Sequence, residues 1–67
     1  MFPNINAEQA RIGKTNSEVA AFLGISRSTY ENKKKNGNFN RAECIKLIEL
    51  FGKPFEYLFA DTETHNA

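Results

Sequence analysis

The chain has 67 residues, 40% apolar and 25% charged, with one cysteine and a formal net charge of +1. That length allows one domain, the composition fits a globular chain rather than a disordered one, and a single cysteine excludes an internal disulfide. No apolar run reaches membrane-spanning length, and the opening "MFPNINAEQA" lacks the basic-then-apolar order of a secretion signal, so a soluble, cytoplasmic protein is expected.

Helix signals dominate in chain order, and no segment alternates apolar and polar residues as a strand does. Asn4 is the expected cap of a first helix that runs to about Ile12, with Ile5 and Ile12 on one face and Gly13 as its stop. "TNSE", Thr15 to Glu18, is a capping box that opens a second helix with Val19, Ala20 and Leu23 on its inner stripe. Gly24 ends that helix. Ser26 caps a third, Ile25 is placed to staple against Tyr30, and Asn36 and Gly37 end it near Lys35. "NGNFN" reads as a loop. From Arg41 a fourth helix carries Cys44, Leu47, Ile48 and Phe51 at core spacing. Gly52 closes it, and Pro54 in a first-turn position starts a fifth with Phe55, Leu58 and Phe59. The fold class expected is all-α, a compact bundle of five short helices. Residues 1–60 form the domain and the polar residues 61–67 a loose tail.

The charge is polarised. Residues 1–40 carry six basic and three acidic side chains, a net of +3, and residues 41–67 carry three and five, a net of −2. The basic end holds "GISRSTYENKKKNG". Two short helices joined by little more than Gly24 and Ile25 have the pattern of a helix-turn-helix. Ala20 is small where the helices cross, and Val19, Leu23, Ile25 and Tyr30 point inward. Arg27, Ser28, Glu31, Asn32 and Lys35 are left facing outward. A helix face of that kind can enter a DNA major groove and bond base edges.

"TNSEVAAFLGISRSTYENKKKNG" resembles the helix-turn-helix of the phage repressor and Cro-like (Xre-like) DNA-binding family. "AEQARIG" looks like the end of that family's first helix, and "FNRAECIKLIELFGKPFEYLF" resembles its last two, so the likeness covers roughly residues 4 to 59. It implies a lambda-repressor-like domain that binds a double-stranded DNA operator in the cytoplasm, acting as a transcriptional regulator of the phage or mobile-element repressor kind. By the resemblance, Arg27, Ser28, Glu31 and Asn32 sit at base-reading positions. Asn16, Ser26, Thr29 and Lys35 sit where phosphate or edge contacts are common.

Three departures stand out. Lys14 and Lys33 replace residues that are usually apolar, and Gln9 and Lys34 occupy positions where many relatives have an Arg–Glu pair. Lys34 is thereby expected to add a phosphate-contacting charge. Lys33 is expected to lay its stem on Tyr30 and Phe39 and extend its ammonium outward. A weak homodimer on half-sites about 34 Å apart is expected, with Phe22, Ile45 and Phe59 as spare apolar contacts.

Each of these residues also has a plainer reading. Three lysines at a helix end complement its dipole. Cys44 reads as packing rather than as a nucleophile, and Cys44 and His65 alone make no metal set, so no cofactor or metal is expected. Glu31 either accepts from a cytosine amino group or tunes solubility. No acid, base and nucleophile set points to an enzyme, and with no room for an effector domain no small-molecule effector is expected. The competing function class is a protein-interaction module of the same fold, an antitoxin-like or anti-repressor subunit that binds no DNA.

Overall fold

The computed structural model describes residues 2–60, which form five α-helices and no strand. These are α1 (Pro3–Arg11), α2 (Asn16–Leu23), α3 (Arg27–Asn36), α4 (Arg41–Phe51) and α5 (Phe55–Leu58). The expected tail, including His65, lies outside the described residues.

Local chemistry accounts for the helix ends. Thr15 and Glu18 form the reciprocal capping box: the Thr15 hydroxyl accepts from the Glu18 N–H at 3.1 Å, and Glu18 accepts from the Thr15 N–H at 2.8 Å. Ser26 caps α3 through the Thr29 N–H at 3.2 Å. Between them Gly24 takes φ +78°, a left-handed conformation that a Cβ would strain, and this lets α3 turn back across α2.

Three boundaries differ from the sequence reading, and the start of α4 at Arg41, as expected, gains an unforeseen cap. Asn4 is not a cap but lies inside α1, where its Nδ2 donates to the Tyr57 carbonyl at 2.8 Å. Pro3 occupies the first helical position, has no N–H to satisfy and presets φ, so α1 starts without a side-chain cap. α3 runs one residue further, to Asn36, because Gly37 alone takes the left-handed turn. α4 opens on a second capping box, Asn40 with Glu43. Pro54 precedes α5 rather than entering it, and α5 is a single turn.

The core joins all five helices through Ile5, Val19, Ala20, Leu23, Tyr30, Leu47, Phe51 and Leu58, each buried. Cys44 and Ile48, expected on that stripe, are only partly buried, and Glu43 turns inward instead. Phe59, read as a spare contact, stacks on Phe55 at 4.7 Å and meets Phe2 and Phe39 edge-on at 5.4 and 5.7 Å. It belongs to an aromatic cluster that closes the domain, whereas Phe55 at that cluster's edge is half exposed. Gly37 is fixed twice over: its φ is +77°, and a Cβ there would come within 2.8 Å of the Phe2 ring.

Two carboxylates are buried among the described residues, and both are paired. Glu8 accepts from Arg11 and from the Tyr57 hydroxyl, while Arg11 donates to the Phe51 carbonyl at 3.1 Å, which ties α1 to α4 and α5. Glu43 accepts from the Asn40 N–H and from the Lys33 ammonium, each at 3.0 Å. The Lys33 ammonium also donates to the Asn38 carbonyl at 3.1 Å. Lys33 therefore does not extend outward as the sequence suggested, because the Glu43 carboxylate, which would otherwise be a buried unpaired charge, and the Asn38 carbonyl lie within its reach. No buried side-chain polar atom among the described residues lacks a partner.

Candidate nucleic-acid interface

α3 has two chemically distinct sides. Tyr30 anchors the inner one: its ring is fully buried, and its hydroxyl donates to Gln9 Oε1 at 2.8 Å, fixing α3 to α1. Burial raises the pKa of that phenol well above the ordinary tyrosine range, so it stays a neutral donor. The outer side presents Arg27, Ser28, Asn32 and Lys35, all exposed. Their spacing follows from the anchor. With Tyr30 inward, residues two before it and two or five after it lie on the opposite half of a 3.6-residue helix, while Arg27, on the flank nearer Tyr30, is exposed as the first residue of α3.

Ser26 and Thr29 stand at the start of this side. The Ser26 hydroxyl donates to Thr29 Oγ1 at 2.7 Å while accepting from the Thr29 N–H, and lies 3.4 Å from Ser28 Oγ. These hydroxyls thus first serve the helix cap. A hydroxyl has one donor and two acceptor sites, so the cap leaves part of that capacity for a ligand.

Asn16, the first residue of α2, is the hub of the site. Its Oδ1 accepts from Gln9 Nε2 at 2.8 Å and from the Lys34 ammonium at 2.9 Å, and its Nδ2 donates to Glu31 Oε2 at 3.0 Å. One N–H of its amide remains for an incoming acceptor. The same Glu31 oxygen accepts from Arg27 Nη1 at 2.7 Å. The Asn16 hydrogen bond, with the Arg27 guanidinium beside it, holds the Glu31 carboxyl below the usual carboxylate range, so it is ionised at neutral pH.

Lys34 is oriented by the same hub. Its ammonium donates to Asn6 Oδ1 at 2.8 Å and to Gln9 Oε1 at 3.5 Å, and sits 4.8 Å from the centre of the Tyr30 ring. Partial burial pulls its pKa below the ordinary lysine value. An amide–ammonium network through Gln9, Asn16 and Lys34 ties α1 to α2 and α3. Lys34 is a brace with a charge rather than a free arm, while Lys35, next in the chain, is exposed. Asn16, Glu31, Lys34 and Lys35 line a groove of about 220 Å³ that opens beside Phe2 and Asn6.

The structure thus brings Asn16, Arg27, Glu31 and Lys34 into one bonded network and leaves Ser28, Asn32 and Lys35 exposed beside it. The sequence reading passed over Asn6 as a member and noted Gln9 only as half of a replaced pair. The signal was there: amides three apart in α1 share a face, and that face meets α3. Phe22 and Ile45 are nearly half exposed at 45% and 46%, as a spare apolar contact requires. Burial raises the Cys44 pKa, with Glu43 adding to it, so the side chain is a thiol and packs as one.

No described helix is long and apolar enough to cross a membrane. The chain matches no protein-family model, no curated protein and no solved structure at the significance required.

Proposed function

We propose that this chain is a sequence-specific double-stranded DNA-binding regulator in which α2 and α3 act as a helix-turn-helix and the outward side of α3 enters the major groove. One observation carries the reading: a helix anchored on one side by a fully buried tyrosine displays Ser28, Asn32 and Lys35 on the other, with Arg27 exposed at its first residue. Rigid support from behind and bonding groups in front are what base-edge recognition requires.

The roles follow from chemistry. Asn32 can bond adenine through two atoms, and Arg27 can bond guanine through O6 and N7. Ser28 adds a short donor or acceptor. The spare Asn16 N–H and the Lys35 ammonium supply phosphate contacts, with Ser26 and Thr29 close to the same edge. Lys34 contributes field rather than a direct contact while its ammonium stays in the network. The near-neutral net charge is offset by its distribution, with the basic excess in the half that holds α3. The likeness to phage repressor and Cro-like proteins supports a lambda-repressor-like arrangement and a repressor's role on a palindromic operator. Two copies of so small a reader, meeting through Phe22 and Ile45, would cover two half-sites.

A second reading has its own support. Half-exposed Phe22, Ile45 and Phe55 are large apolar side chains that suit a protein-interaction module. Selection of binding sites from random duplex DNA separates the two. Enrichment of an inverted-repeat motif supports the regulator, and no enrichment at low salt from a folded sample supports the module.

A further inference from the structure

Arg27 and Glu31 form an ion pair whose order along the helix is unfavourable. Arg27 is the first residue of α3, where the helix dipole repels a cation, and the acid follows the base at i, i+4 rather than preceding it. Helix stability alone therefore gives little reason for the pair. Glu31 is held from a second side by Asn16 of α2, through the oxygen that also takes Arg27. Its other oxygen, Oε1, has no hydrogen-bond partner among the described residues.

We infer that Glu31 is a specificity-determining residue that keeps Arg27 off sequence-blind phosphate contacts, with Asn16 as the positioning residue that holds Glu31 in place. The inference rests on the duplex-binding reading and adds a selection rule to it. A phosphate offers Arg27 one more anion in exchange for the one it has, and leaves Glu31 unpaired beside a polyanion. A guanine edge offers two acceptors in the plane of the guanidinium. Glu31, once released or shared, can accept from a neighbouring cytosine amino group through Oε1. The exchange is favourable on the right base step and unfavourable on bare backbone. An exposed pair of this kind is weak enough to open on contact, since the Arg27 side chain is 61% exposed and that of Glu31 34%.

The test is a double-mutant cycle of Glu31→Gln and Arg27→Ala, read as affinity for the selected site and for random duplex over a salt series. Glu31→Gln alone should raise random-duplex affinity and steepen the salt slope by about 0.9, one added phosphate contact. It should also reduce the preference for the selected site by roughly tenfold, the order of one base contact. In the Arg27→Ala background the same change should leave the slope unaltered. Equal effects of Glu31→Gln in both backgrounds mean that it acts as bulk charge, which overturns the inference and leaves the DNA reading standing. A folded wild-type chain that binds no duplex overturns both. NMR titration of the Glu31 carboxyl needs no DNA and examines the clamp itself. Asn16→Ala should move that pKa up toward the ordinary carboxylate value, and an unchanged titration would remove Asn16 from its positioning role.

Discussion

α3 carries one carboxylate-centred cluster on each side, and the two differ in what they can give up. On the inner side Glu43 binds the Lys33 ammonium and the Asn40 N–H, with its side chain only 8% exposed. On the outer side Glu31 binds Arg27 and the Asn16 amide with a third of its surface in water. The parts are alike: one acid, one base and one N–H donor, with the base crossing between helices on the inner side and the amide on the outer. Burial makes the difference. A buried pair that loses one member leaves an unpaired charge with nowhere to go, whereas a half-exposed pair can exchange its partner for water or a ligand. The inner cluster therefore fixes the angle between α3 and α4, and the outer one is free to act.

The largest effect should come from breaking the inner cluster. Glu43→Ala removes the α4 capping box and leaves Lys33 without its counter-ion, so urea denaturation should show a loss of about 2–3 kcal/mol. Glu43→Ala together with Lys33→Met should lose less than the two single changes summed, by at least about 1 kcal/mol, because no orphan charge remains.

Acid should act on the same cluster. Backbone and Lys33 hydrogen bonds outweigh burial and hold the Glu43 pKa below its ordinary value, and Arg11 does the same for Glu8. A depressed folded-state pKa means stability that is present above the unfolded carboxyl value, about 4.3, and lost as pH falls through the lower folded value. Wild-type stability should therefore decline below about pH 4.3. Glu43→Gln should flatten that decline while lowering stability at neutral pH.

On the outer side, Asn32→Ala should relax base preference at one operator position at a cost of roughly 1–3 kcal/mol, with little change in melting. Next come the lysines, which the structure divides. Lys34→Ala cuts hydrogen bonds to Asn6 and Asn16 and should destabilise by about 1 kcal/mol. Lys35→Ala should leave melting alone and make the salt slope shallower by about 0.9. The converse result, with Lys34 setting the slope and Lys35 the melting temperature, breaks the division. Glu31→Gln gives up only a half-exposed ion pair and keeps an amide oxygen for Asn16, so it should lower the thermal melt only slightly.

The contrast between the two sides also marks what the sequence made legible. "TNSE" and the glycine after Leu23 are local signals, and they place α2, the turn and the start of α3 to the residue. Ser28, Asn32 and Lys35 then follow from the helical repeat once Tyr30 is assigned inward. What escaped was long-range pairing. "NRAE" carries the same capping-box pattern as "TNSE", yet the inward turn of Glu43 depends on Lys33 ten residues earlier in the chain. Lys33 itself reads as a surface lysine until α4 is packed beside it. The Asn16 hub joins three helices through side-chain amides, which no periodicity records. Phe59 reads both as part of the core stripe and as a spare contact, and the cluster takes it up because Phe2 and Phe39, distant in sequence, close on it.

The central claim is that the outward side of α3 reads base pairs from a rigidly held helix. Parallel selection of binding sites from random duplex DNA by wild type and by Asn32→Ala tests it most directly, with both proteins checked as folded by circular dichroism. The wild type should yield an enriched motif, and the variant the same motif with one position relaxed. Identical motifs from both proteins would contradict the assigned reading face, and no enrichment from the wild type at low salt would contradict duplex recognition altogether.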